Sequence, residues 1–361
     1  MSLDLFKPVK INSLELRNRF VRSATGDGMA DGAGSVTDSS VALYEGLGKG
    51  GVGLIITGHA FVSPVGQCSL NQYGIYSDAM IPGLRRMVEA VHKGGAKIAV
   101  QISHAGVNSK YANQRNMVMQ AASEVSGISG RYQVMIDKDV EEVISNYVSA
   151  GRRAVEAGFD AIQLHGAHGY LMSQFLSPVY NHRNDHWGGS AGKRRAFHLE
   201  VVKSMREAIG FNFPLFIKLG VRDERDGGLI LEEGLETAKE LAAQGIDAIE
   251  VSCGIGTSMK AAYDDESEHI YFRDEAVAVK GAVNIPVISV GGIRSPEMAR
   301  DIIDRGDADL ISMCRPFMRE PGLINQWRTG KKSPSRCISC NKCMAIRALG
   351  RPLMCVEDQN R

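Results

Sequence analysis

Short, almost uninterrupted apolar runs recur along the chain, separated by longer stretches in which apolar residues return every three or four positions. The short runs are FVRS at 20–23, VGLII at 52–56, KIAVQIS at 97–103, AIQLH at 161–165, LFIKLG at 215–220, AIEVS at 248–252, PVISV at 286–290 and DLISM at 309–313. Between them lie helical patterns such as AMIPGLRRMVEAVHKGG, DVEEVISNYVSAGRRAVEAG, LEEGLETAKELAAQG and SPEMARDIIDRG, most of them ending in the Gly that suits a helix C-terminus. Near-continuous apolar strands alternating with amphipathic helices predict a parallel sheet covered by helices. Eight such units favour a closed (β/α)8 barrel, the TIM-barrel architecture, over an open doubly wound sheet. An open dinucleotide-binding sheet would also want G-x-G-x-x-G after its first strand, and ATGDGMADGAG lacks a Gly at the needed offset.

Three segments depart from this rhythm. LFKPVKINSLELRNRF alternates around Asn12-Ser13 and predicts an N-terminal hairpin closing the barrel floor. Residues 104–137 carry no clear period and read as a long excursion after the third strand. Past 328 the alternation stops, and a Lys/Ser/Pro-rich linker leads into a cysteine-rich tail. The expected organisation is a barrel over 1–328 and a tail over 329–361.

Charge and composition narrow the function classes. Among 361 residues, 42 Lys plus Arg face 41 Asp plus Glu, which leaves no basic stripe for nucleic acid. The 44% apolar and 23% charged shares are those of a globular chain with a sizeable core. No apolar run approaches the roughly 20 residues of a membrane helix, and the N-terminus has no signal-peptide core, so the expected location is the cytoplasm. Of seven cysteines, four crowd into 337–355, a distribution that suits a metal site better than a disulfide framework.

In a barrel of this kind, chemistry gathers at the C-terminal ends of the strands. Strand three carries Gln101 and runs into His104, and strand four ends in LHGAHGYL, which groups His165, His168 and Tyr170. A lone buried His is more often structural, but two with a Tyr at one strand end point to catalysis. Lys218, inside the apolar run of strand five, implies a bound anion or electron-rich ring, because an uncompensated buried ammonium costs several kcal/mol. An ion pair with a carboxylate of a neighbouring strand is the plain alternative. Gly291, Gly292 and Arg315, at the ends of strands seven and eight, fit a phosphate cup. The tail spacing C-x2-C-x2-C-x11-C places Cys337, Cys340, Cys343 and Cys355 as four thiolates for a [4Fe-4S] cluster or for zinc.

These residues resemble a known family. NRFVRSAT, GLIITGHAFVSP, QISHAG, DAIQLHGAHGYLMSQFLSPVYNHRNDHWGGS, VGGI and CRPFMREP are similar to the old yellow enzyme family of FMN-dependent oxidoreductases over about residues 4–328. The cysteine tail resembles the branch containing 2,4-dienoyl-CoA reductase, 2-enoate reductase and trimethylamine dehydrogenase, and on that resemblance [4Fe-4S] is favoured over zinc. The resemblance implies that Ser23, Ala24, Thr25, Gly58 and His59 face the flavin, that Gln101 meets its pyrimidine edge, and that Lys218 replaces the usual Arg near N1 and O2. Gly291, Gly292, Cys314 and Arg315 complete the FMN site. A unit charge at about 4 Å with an effective dielectric near 20 is worth roughly 4 kcal/mol, or about 90 mV for a two-electron couple, as an upper-end expectation for Lys218. His165 and His168 match the positions that hydrogen-bond an enone carbonyl, and Tyr170 matches the Tyr that protonates the α-carbon.

The implied activity is reduction of an activated C=C bond of a small unsaturated carbonyl compound. An amine dehydrogenase or demethylase and an FMN/iron-sulfur electron-transfer subunit are the alternatives within the resemblance, and a phosphosugar barrel enzyme is the generic one. Two departures stand out. AGKRRAF replaces the family's usual Leu-Glu-Asn-Arg pattern and leaves only Arg194 in common, and the strand-six loop CGIGTSMKAAYDDESEH lacks the His of the dienoyl-CoA reductases. In larger relatives the tail is followed by FAD- and nicotinamide-binding domains, whereas this chain stops at Arg361. A cluster here would imply a separate electron-donor protein or subunit, and its absence direct reduction by NAD(P)H. Family members are often dimers or larger, so a homo-oligomer is expected.

Overall fold

The structure is a computed structural model that describes residues 4–256 and 270–357. Eight parallel strands follow the apolar runs to within two residues at either end. They are β1 (Phe20–Arg22), β2 (Leu54–Ile56), β3 (Lys97–Ser103), β4 (Ala161–Gly166), β5 (Leu215–Gly220), β6 (Ala248–Ser252), β7 (Val287–Val290) and β8 (Leu310–Met313). Each pairs with the next, and β8 pairs with β1, so the sheet closes into the expected (β/α)8 barrel. A two-residue strand, Ala60–Phe61, adds to the upper end of β3.

The connecting helices pack their apolar stripes on the outside of the sheet. They include α1 (Asp38–Lys49), α2 (Ile81–Lys93), α3 (Asp137–Ala157), α4 (Ala196–Ile209), α5 (Leu231–Gln244), α6 (Arg273–Ala282) and α7 (Pro296–Arg305). Gly158 and Gly245 end α3 and α5 at φ of 88° and 111°, a left-handed conformation that a Cβ would strain. Among the described residues no helix is long and apolar enough to cross a membrane.

Alternation along the strands divides the barrel into layers. Leu215, Ile217 and Leu219 of β5 point outward into the main core beneath the helices, as do Ile162 and Leu164 of β4 and Ile249 and Val251 of β6. The intervening positions point inward. The lowest inward layer is apolar: Val21, Leu54, Ala99, Ala161, Phe216, Ala248, Ile288 and Leu310 form one cluster with Ile11, Leu14 and Leu16. Those last three belong to the N-terminal hairpin, Val9–Ile11 against Leu14–Leu16, which turns at Asn12 with φ 52° and plugs the barrel floor. Two residues further along, six of the eight inward positions become Ser23, Gln101, Gln163, Lys218, Glu250 and Ser312, all buried, while β2 and β7 place Ile56 and Val290 there. A dry floor thus carries a polar layer, and the strand ends stand above it.

The excursion after β3 contains a short helix, Lys110–Gln114, and a parallel two-strand ribbon, Met119–Ala121 with Tyr132–Val134. After the helix Leu323–Arg328 the tail folds back over the barrel mouth. Glu320 accepts hydrogen bonds from Ser335 Oγ at 2.7 Å and the Arg336 amide at 2.6 Å. Further on, the Leu353 amide donates to the Asp27 carbonyl at 2.8 Å, and Arg347 reaches the Gly26 carbonyl at 3.3 Å and Ser69 Oγ at 2.9 Å.

Candidate active site

The polar layer is one hydrogen-bonded network. Lys218 Nζ lies 3.0 Å from Glu250 Oε1 and donates to Ser23 Oγ at 3.0 Å. Strand register causes this, since Lys218 of β5 stands directly opposite Glu250 of β6. The expectation of an uncompensated ammonium is therefore corrected in favour of its plain alternative, an ion pair with a neighbouring-strand carboxylate. Glu250 also accepts from Ser23 Oγ at 2.8 Å, Ser312 Oγ at 2.7 Å and Gln163 Nε2 at 2.8 Å. Burial raises the pKa of this carboxyl, but Lys218 and the three neutral donors outweigh it and hold it below the ordinary range. Gln101 joins through its amide, donating to Gln163 Oε1 at 2.8 Å.

Above the network four rings meet. His165 stands edge-on to His168 and to Tyr170 at centroid distances of 5.1 and 4.8 Å, and His59 lies 5.8 Å from His165 and 5.2 Å from Tyr170. His165 and His168 follow from the end of β4. His168 takes φ 62°, which costs a residue with a Cβ about 1 kcal/mol, and this turn brings its Nε2 to 2.8 Å from Ser252 Oγ. Nδ1 of His165 is buried with no hydrogen-bond partner. The Cys68 amide donates to Gln72 Oε1 at 2.6 Å, so the Gln72 amino group faces His59 Nδ1 at 2.8 Å and the His59 proton resides on Nε2.

Protonation states follow from burial. It lowers His59 to about 4, helped by Arg347, and His168 to about 3, helped by Lys218 and His59. His165 is lowered well below its ordinary value, first by burial and then by His168, His59 and Lys218. All three rings are neutral at pH 7. Burial and the neighbouring Cys68 raise the Tyr170 phenol well above 10, so it keeps its proton.

The remaining expected contacts lie around these rings and the polar layer. Thr25 Oγ1 lies 3.0 Å from Cys314 Sγ, and Ala24 packs on the floor cluster. The Gly58 amide donates to Tyr44 Oη at 2.8 Å, and a Cβ there would lie 2.8 Å from the Thr25 carbonyl oxygen. Gly291 and Gly292 take φ of 101° and 79° after β7, ahead of α7 with its Ser295 cap. Arg315 turns toward the tail, donating to Ser339 O at 3.2 Å and Asn341 Oδ1 at 2.8 Å, and to Tyr271 Oη at 2.9 Å. Arg194 binds the Leu176 carbonyl and Glu233 away from these rings. The strand-six loop is described only to Gly256, and its remainder, 257–269, lies outside the described residues.

Cys337, Cys340, Cys343 and Cys355 line one pocket together with Arg315, Ser339 and Asn341. Burial first, then Cys314 and Cys337, push the Cys343 thiol up to about 11. Among the described residues no three His, Cys, Asp or Glu side chains are arranged to hold a single metal ion.

Four functional neighbours escaped the sequence reading. Glu250 carried the signal that singled out Lys218, a charge at an inward position of an apolar strand, but its partner is set by register. Gln163 sits one alternation before His165 on β4. Cys68 and Arg347 come from segments without period, so only the folded chain brings them to Tyr170.

Residues 4–333 match the family described as NADH:flavin oxidoreductase / NADH oxidase. An NADH oxidase of Thermoanaerobacter brockii is 36% identical over 346 residues, covering 94% of this chain and 53% of that protein. The chain thus spans about half the length of that relative. An NADPH dehydrogenase of Geobacillus sp. (strain WCH70) is 34% identical, with 89% of this chain and 92% of that protein covered. Among solved structures, 2-naphthoyl-CoA reductase bound to 2-naphthoyl-CoA superimposes with a TM-score of 0.91 at 26% identity, covering 98% of this chain and 57% of that one.

Proposed function

Since the chain belongs to the NADH:flavin oxidoreductase / NADH oxidase family, we propose that it is an FMN-dependent oxidoreductase that uses NAD(P)H, directly or through a partner, to reduce the C=C bond of an α,β-unsaturated carbonyl compound. The observation that carries this reading is the ring cluster of His59, His165, His168 and Tyr170 standing over the buried Gln101–Lys218 layer. The residues fit a flavin. Lys218 and Gln101 offer buried polar contacts to the pyrimidine edge, His165 Nδ1 is a buried atom still wanting a partner, and the Gly291-Gly292 turn suits a phosphate.

When bound, FMN supplies the hydride that adds to the β-carbon. His165 and His168, held neutral, donate N–H bonds to the substrate carbonyl oxygen and stabilise the negative charge that develops there. Tyr170 gives its phenolic proton to the α-carbon, and its raised pKa keeps that proton in place until charge develops. Cys68 Sγ, 3.4 Å from Tyr170 Oη, orients the hydroxyl. The tail covers the mouth through Arg347 and limits access of water.

In the tail, Cys337, Cys340, Cys343 and Cys355 would hold a [4Fe-4S] cluster. The four thiols line one pocket, which suits four thiolates around one centre, and the resemblance of their spacing to a cluster-binding tail favours iron-sulfur over zinc. The cluster would admit electrons singly from a donor protein or domain.

The test is an anaerobic pair of half-reactions. NADH or NADPH should bleach the flavin, and 2-cyclohexenone should restore its colour at a rate that saturates with the enone. A flavin bleached by trimethylamine and indifferent to enones would replace the reading with amine oxidation.

A further inference from the structure

We propose that Glu250 sets the redox potential of the flavin, by neutralising Lys218 and by fixing which way the Gln101 amide faces. The inference rests on the flavin reading above and adds a positioning residue to it. Glu250 is fully buried, accepts hydrogen bonds from Ser23 just past β1, Gln163 on β4 and Ser312 on β8, and forms an ion pair with Lys218 on β5. An ionised carboxylate accepts and does not donate, and here Oε1 faces Ser23, Ser312 and Lys218 while Oε2 faces Gln163.

Two consequences follow from a group that only accepts. The first concerns amide polarity. Gln163 must turn its amino group to Glu250, so its carbonyl oxygen faces Gln101, and Gln101 must answer with its own amino group. Oε1 of Gln101 is then the end left for a ligand, an acceptor suited to the N3–H of a flavin. The second concerns Lys218. It donates to Ser23 and pairs with Glu250 at 3.0 Å, and of its three N–H groups one remains for a carbonyl oxygen such as O2 of the same edge. The layer therefore presents a donor beside an acceptor, matching the pyrimidine edge, while the net charge beneath it is that of an ion pair and not of a free cation.

A carboxylate at hydrogen-bond distance from the ammonium cancels most of the field that Lys218 alone would exert on a reduced, anionic flavin. Removing the charge of Glu250 should unmask that field. In Glu250→Gln the midpoint potential rises, and sulfite, which adds to flavin N5 in proportion to the positive charge nearby, binds at least about tenfold more tightly. Glu250→Asp, which retains the charge, stays near the wild-type value for both.

Should Glu250→Gln fail to fold, a second comparison decides. Lys218→Met alone lowers the potential, and the double variant Lys218→Met/Glu250→Leu, which replaces the buried pair by apolar groups, brings it back toward wild type. Unchanged potential and sulfite affinity in Glu250→Gln, or a double variant no different from Lys218→Met, would overturn the proposal and leave Glu250 a packing residue. If the wild-type protein retains no flavin, the functional reading itself fails and the inference falls with it.

Discussion

The hydroxyl of Tyr170 lies 3.4 Å from the sulfur of Cys68, a residue 102 positions earlier, and the Tyr170 ring packs 5.2 Å from that of His59. Burial raises both groups, so each keeps its proton at neutral pH. Only one of them is aligned with the strand-four histidines. Tyr170→Phe should therefore leave flavin reduction by NAD(P)H intact and slow reoxidation by an enone about a hundredfold or more. Cys68→Ala should slow it far less. Stopped-flow measurement of the two half-reactions separates them, and equal losses in both would remove Tyr170 from the proton-donor role.

His165 has a ring nitrogen with no protein partner, whereas His168 is committed to Ser252. His165→Ala should cost about 10²–10³ in enone turnover through loss of a donor to the developing oxyanion, without unfolding the barrel. His168→Ala should cost turnover and also loosen the β4 turn, seen as a lower Tm. An enone rate unaffected by His165→Ala would place carbonyl recognition elsewhere.

His198 is fully buried with neither ring nitrogen hydrogen-bonded, and burial lowers it to about 3. His104, also fully buried, is lowered to about 4. Both are neutral when folded and free to take a proton when unfolded, so the unfolded state binds more protons below about pH 6.5. Their contribution to stability is complete above that pH and is lost as pH falls toward 4, at about 1.4 kcal/mol per pH unit for each residue. His59, His165 and His168, lowered in the same way, add to it, so denaturant titrations between pH 7 and 4.5 should record the summed slope, reduced by one residue's worth in His198→Leu. An identical slope in that variant would contradict the assignment.

Arg347 fastens the tail to the barrel at Gly26 and Ser69, and the absence of a side chain at Gly28 makes room for it, since a Cβ there would lie 2.5 Å from Nε. Arg347→Ala should speed proteolytic cleavage within 329–357 while the barrel keeps its Tm within a degree or two. Cys340→Ser should do the same and lower the iron content. Unaltered cleavage in both variants would mean that neither Arg347 nor a cluster holds the tail.

The strands and the floor hairpin were legible because an inward-facing and an outward-facing apolar position alternate in every barrel strand, and because Asn12-Ser13 interrupts a short alternating segment. His165, His168 and Tyr170 were legible because one strand end carries them all. The pairing of Lys218 with Glu250 was not. Nothing local to LFIKLG or AIEVS states that the two charges share a register position, and 32 residues separate them. The approach of Cys68 and Arg347 was equally hidden, because loops and tail are placed by closure of the barrel and not by periodicity.

The barrel is proposed to carry FMN beside an iron-sulfur tail. The ultraviolet-visible spectrum of protein purified without oxygen, with iron, sulfide and zinc measured on the same sample, tests it most directly. Flavin bands near 370 and 450 nm and about four irons per chain are expected. Flavin with zinc or no metal would contradict the cluster, and a colourless protein would contradict the assignment of flavin chemistry altogether.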